Sequence, residues 1–77
     1  MEVNILAFGR IAELTAAREW KMQGVRSTEE VRQQLEATYP ALQGMRYALA
    51  LNKKIITADT PLSEGAELAL LPPFSGG

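Results

Sequence analysis

Along much of this chain apolar and polar residues alternate with a period of two, and in one stretch the period lengthens to about four. Residues 3 to 8, Val-Asn-Ile-Leu-Ala-Phe, predict a first strand with Val3, Ile5 and Ala7 on one face and Leu6 and Phe8 on the other. Gly9 breaks the run, and Ile11-Ala12-Glu13-Leu14 suits a short helical turn before Thr15. From Arg18 to Gln23 the alternation resumes, with Trp20 and Met22 opposite Glu19 and Lys21. A second strand, paired as a hairpin with the first, is expected there.

Gly24 closes that strand, and Ser27-Thr28-Glu29-Glu30 has the form of a capping box: the Ser27 hydroxyl accepts from the Glu30 amide and the Glu30 carboxylate returns to the Ser27 amide. A helix begins here. Val31, Leu35 and Tyr39 recur at four-residue spacing as a core stripe, Arg32, Gln33, Gln34 and Glu36 take the outer face, and Pro40 ends the helix. Residues 46 to 51 predict a third strand, with Tyr47, Leu49 and Leu51 opposite Ala48 and Ala50. Asn52-Lys53-Lys54 turns into the short run Ile55-Ile56-Thr57. After the breakers Pro61, Ser63 and Gly65, a last strand covers Glu67 to Leu71. Strand, strand, helix, strand, short strand and strand make a small α+β roll with one main helix on one face of the sheet.

One helix cannot cover both faces. Leu6 and Phe8 oppose Val3, Ile5 and Ala7, and Leu68 and Leu70 oppose Ala69 and Leu71, so apolar side chains are left on the open face. Phe8, Ile55 and Leu71 are the candidate patch for a docking partner.

Composition narrows the chemistry. Seventy-seven residues with 47% hydrophobic and 22% charged positions form one small domain with a real core, read as a body over 1–71 and a tail over 72–77. There is no cysteine, which removes disulfides, thiolate metal sites and a cysteine nucleophile. There is no histidine either, which removes the commonest general base and most transition-metal sites. An autonomous enzyme, a bound cofactor or a metal is therefore not expected. Net charge of −1 leaves no electrostatic footprint for nucleic acid, and no apolar run reaches the ~20 residues a bilayer needs. A cytoplasmic protein is expected. Lys53 and Lys54 read as a solvated turn.

The tail gives the chemistry a location. Pro72 and Pro73 fix their own φ and extend Leu71, so the arm leaves the body stiffly, with Phe74 and Ser75 positioning it. Gly76 and Gly77 have no Cβ and can thread a channel too narrow for a side chain, exposing the Gly77 carboxyl group to a partner enzyme.

Asp59 to Gly65, Glu67 to Leu71 and the Pro-Pro-x-Ser-Gly-Gly ending, with Leu6 to Leu14 and Ser27 to Leu35, resemble the molybdopterin synthase small subunits over nearly the whole chain. Ala66, where an acidic residue is frequent, and Phe74, where a smaller β-branched residue is common, depart from the family pattern. The resemblance implies a ubiquitin-like β-grasp fold with a mixed sheet of four to five strands, and a sulfur-carrier role. It implies that an adenylating enzyme uses ATP to activate Gly77, and that a sulfur donor then leaves a thiocarboxylate. The large synthase subunit, in a heterotetramer, would take that sulfur for the molybdopterin dithiolene. A carrier for thiamine or a tungsten-type cofactor, and a ubiquitin-like modifier joined to lysines, stay open as alternatives.

Overall fold

Alternation in the sequence becomes alternation of burial in the structure, a computed structural model that describes residues 2–72. Strand β1 (Glu2–Ala7) buries Val3, Ile5 and Ala7 and leaves Glu2, Asn4 and Leu6 half-exposed. The last strand repeats the pattern, burying Leu68 and Leu70. Five strands are formed among the described residues: β1, β2 (Glu19–Gln23), β3 (Ala48–Leu51), β4 (Lys54–Ile56) and β5 (Glu67–Leu71), in the spatial order β2-β1-β5-β3-β4. All neighbours are antiparallel except β1 and β5, which lie parallel with Ala7 opposite Leu70. The sheet is therefore mixed, with the first and last strands side by side at its centre.

Among the described residues two α-helices accompany the sheet, α1 (Gly9–Thr15) and α2 (Thr28–Thr38), the second followed by a 3-10 turn over Pro40–Gly44. Val31 and Leu35 of α2 enter one core with Val3, Ile5, Leu68 and Leu70, and Ile11, Val25, Leu42 and Leu62 close its ends. Tyr39, expected as the third member of the stripe, is the C-cap of α2 and only partly buried, because Pro40 already turns the backbone there. No helix among the described residues is long and apolar enough to cross a membrane.

Several boundaries differ from the expected ones. The first strand ends at Ala7, and the helical turn expected at residues 11–14 is a longer helix starting at Gly9. Its Thr15 is buried, donating its hydroxyl to the carbonyls of Ile11 and Ala17 at 3.0 Å each. The third strand starts at Ala48, not at residue 46. At the start of α2 Ser27 accepts from the Glu30 amide at 3.4 Å as expected, but the Glu30 carboxylate accepts from the amide of Arg26, at 2.8 Å, and not from that of Ser27. The cause is a bridge between Ser27 and Pro61, flanked by Thr28 N–H to Thr60 and Leu62 N–H to Arg26, which holds the chain extended before the cap.

Candidate functional site: the open face and the root of the tail

Register decides what the open face presents. Because directly paired residues share a face, the pairings Glu19–Leu6, Leu6–Ala69, Ala69–Ala50 and Ala50–Ile55 form one row across all five strands. Ala48 and Leu71, paired with each other, lie in the next row. On the other side of Leu6 the face turns polar, with Lys21 opposite Asn4, Asn4 opposite Glu67, and Asn52 donating its amide to the Glu67 carbonyl. The open face is thus divided. Its apolar half lies toward the end of β5, where the chain leaves the sheet.

Phe8 and Ile55, two of the three residues expected in a docking patch, are the exposed large hydrophobics among the described residues, at 47% and 63%. Phe8 is not in β1 but is the N-cap of α1. Its extended geometry (φ −126°, ψ 154°) carries the alternation one residue further, and its amide donates to the Leu70 carbonyl at 3.3 Å. Leu71 is half-buried. Leu6 and Ala69 share the face that the alternation assigned to Phe8 and Leu71 but were left out of the expected patch, and sequence reasoning did not place Ala48 or the buried Ala50 of β3 on this face. The two alanines of β3 share the register of this face, Ala48 opposite Leu71 and Ala50 opposite Ala69 and Ile55, and Ala50 is buried among its neighbours while Ala48 is half-exposed.

Pro72 is the one tail residue the structure describes; Pro73, Phe74, Ser75, Gly76 and Gly77 lie outside the described residues. Its ring rests on Gly9. A Cβ added at Gly9 would stand 3.0 Å from Pro72 Cγ. Beside this contact a shallow groove runs along the β1–α1–β2 corner, lined by Leu6, Phe8, Gly9, Ala12, Arg18 and Glu19. Lys53 and Lys54 sit at the exposed β3–β4 turn, with Asn52 and Lys53 both in left-handed geometry (φ 50° and 72°).

Away from this surface the polar contacts serve the fold. Asp59 Oδ1 accepts from the Glu29 amide at 3.0 Å and the Thr28 hydroxyl at 3.4 Å, and the Glu29 N–H, with help from Ser27, Thr28 and Thr60, holds its carboxyl below the usual range. Arg32 donates to Glu29 at 2.7 Å and to Glu36 at 3.4 Å, on the exposed side of α2.

A five-stranded mixed sheet gripping one main helix, with parallel first and last strands at its centre, defines a ubiquitin-like β-grasp protein. The chain belongs to the ThiS family, whose model matches residues 5–77. It is 33% identical over 81 residues to the molybdopterin synthase sulfur carrier subunit of Arabidopsis thaliana, covering 100% of this chain and 84% of that one. In the protein–protein complex of subunits 1 and 2 of molybdopterin-converting factor from Helicobacter pylori, the matched chain is 29% identical. The match covers 100% of both chains at a TM-score of 0.76. The small archaeal modifier protein 1 of Methanosarcina acetivorans is 25% identical with a TM-score of 0.82, covering 99% of this chain and 96% of that one.

Proposed function

We propose that this chain is the sulfur carrier subunit of a molybdopterin synthase, inert alone and working in the cytoplasm with a large subunit, two of each forming a heterotetramer. The full-length match to a sulfur carrier subunit carries this reading. The fold supports it by setting an apolar half-face beside Pro72, so that a partner docked there receives whatever follows. The Gly77 carboxylate is ionised near neutral pH, with a reference pKa of about 3.3–3.7, and is a poor electrophile until activated. An adenylating enzyme joins it to AMP from ATP with loss of pyrophosphate. A hydrosulfide equivalent then attacks the carbonyl carbon, expels AMP and leaves a thiocarboxylate. Its sulfur bonds to an electrophilic carbon of the pterin precursor as an oxygen substituent leaves that carbon, and water then cleaves the acyl–sulfur bond, leaving the sulfur on the pterin and restoring the Gly77 carboxylate. Gly76 supplies clearance, and Pro72, Pro73, Phe74 and Ser75 position the arm.

Intact mass spectrometry after incubation with the adenylating enzyme, ATP and a sulfur donor tests the reading. Exchange of one oxygen for sulfur at Gly77 is expected, and its absence refutes the carrier role. Likeness to the Methanosarcina modifier favours a second reading, attachment through Gly77 to lysines of other proteins. Covalent conjugates in pull-downs without thiocarboxylate would select it.

A further inference from the structure

The parallel pairing of β1 with β5 brings Ala7 opposite Leu70, so the residues that follow this pair, Phe8-Gly9 and Leu71-Pro72, come side by side, with Pro72 against Gly9. There the backbone of Gly9 takes φ +54°, in the left-handed region, and α1 begins. The Pro72 ring lies over the bare Gly9 Cα, with Cγ 3.0 Å and Cβ and Cδ 3.9 Å from where a Cβ would stand. Proline fixes its own φ and extends the residue before it, so few soft torsions remain at this point. A side chain at position 9 therefore has one easy response, which is to push the Pro72 ring aside.

We propose that Gly9 sets the direction in which the chain leaves the body at Pro72, and so acts as a positioning residue for delivery of the terminal carboxyl group; this use rests on the sulfur-carrier reading above. Residues 73–77 span at most about 17 Å when fully extended, so a tilt of about 10° at the root displaces their end by about 3 Å. Misplacement by about 1 Å can cost about 100-fold in a positioned reaction. A contact far from the reacting atom thus controls its arrival.

Asparagine tolerates positive φ yet carries a Cβ, so Gly9→Asn adds the contact with Pro72 while largely sparing backbone strain. Sulfur transfer from the charged protein, measured with saturating large subunit, is expected to fall about 10-fold or more in Gly9→Asn, with affinity for that subunit retained. In a Pro72→Ala background, which lacks the ring Cγ, the same change is expected to alter transfer less than about twofold. Equal losses in both backgrounds would overturn the proposal, since Gly9 would then act through the interface or the fold. The chain has no cysteine, so a spin label on Ser75→Cys gives a readout independent of sulfur chemistry. Gly9→Asn is expected to redistribute its paramagnetic broadening over the body amides, and an unchanged pattern also overturns the proposal. A wild-type protein that takes up no sulfur would refute the carrier reading, while the spin-label experiment would still decide whether Gly9 directs the exit.

Discussion

The Tyr47 hydroxyl donates to Glu36 Oε2 at 2.7 Å, fastening the outer side of α2 to the residue that precedes β3. Glu36 also accepts from Arg32, which in turn grips Glu29, so a chain of charge-assisted bonds runs along the helix and down to the sheet. Tyr47→Phe removes the link without changing the ring, and is expected to cost about 1 kcal/mol, read from denaturant unfolding at neutral pH. Burial first, then the bond to Glu36, raises the Tyr47 pKa well above its ordinary value. A group raised on folding stabilises fully below its unfolded pKa and loses that contribution as pH rises, so wild-type stability should decline above pH about 10. Tyr47→Phe should show a shallower decline.

The second helix anchor titrates at the other end. Asp59 is held below the usual carboxylate range chiefly by the Glu29 N–H at the start of α2. A carboxyl group lowered on folding stabilises above its unfolded pKa, so its contribution should fade as pH falls below about 4. Asp59→Asn keeps an acceptor but no charge, and should flatten the acid limb of the stability profile. Ser27→Ala, which removes the hydroxyl that accepts from the Glu30 amide, should cost about 1 kcal/mol by denaturant unfolding at neutral pH.

Much of this fold was legible because each element carries its own local signal. Period-two alternation fixed the two faces of β1 and β5, and Ser27 with Pro40 bracketed α2. What the sequence did not carry was non-local. Which face of β3 meets the helix depends on Leu49 and Leu51 pairing with Leu70 and Leu68, so Ala48 and Ala50 could not be assigned to the open surface in advance. Glu30 found Arg26 because of a bridge to Pro61, far along the chain. Gly9 read as a breaker, and its role as the seat of Pro72 appears only once β1 and β5 are parallel neighbours. Phe8 and Ile55 were legible as exposed apolar residues for a simple reason: one helix leaves one face uncovered.

The β3–β4 turn stores strain that substitution can release. Asn52 and Lys53 both have positive φ, the geometry of a type I′ hairpin, which favours asparagine followed by glycine. Asn52 also accepts from the Glu67 amide at 3.0 Å, so it is well placed, whereas Lys53 meets the Cβ penalty of the left-handed region. Lys53→Gly is expected to raise stability by about 0.5–1 kcal/mol after the entropy of the unfolded glycine offsets part of the gain. Thermal unfolding checks it, and a loss of stability would mean that the lysine makes a compensating contact.

The divided open face predicts a divided response to mutation. Phe8 and Ile55 are exposed, so replacing either by glutamate should change folding stability by no more than about 0.5 kcal/mol. If the apolar half-face is where the large synthase subunit docks, the same changes put an unpaired charge into a desolvated contact and should weaken binding by about 2 kcal/mol or more, roughly 30-fold. Leu71→Glu should also weaken binding more than folding, with a larger folding loss than the other two because Leu71 is half-buried beside Ala48. Lys21→Ala, on the polar half opposite Asn4, is the control and should leave affinity unchanged. Titration calorimetry with the large subunit, paired with denaturant unfolding of each variant, separates the two effects. Unchanged affinity in the Phe8 and Ile55 variants would move the interface elsewhere, and unfolding of those variants would mean that the two side chains belong to the core.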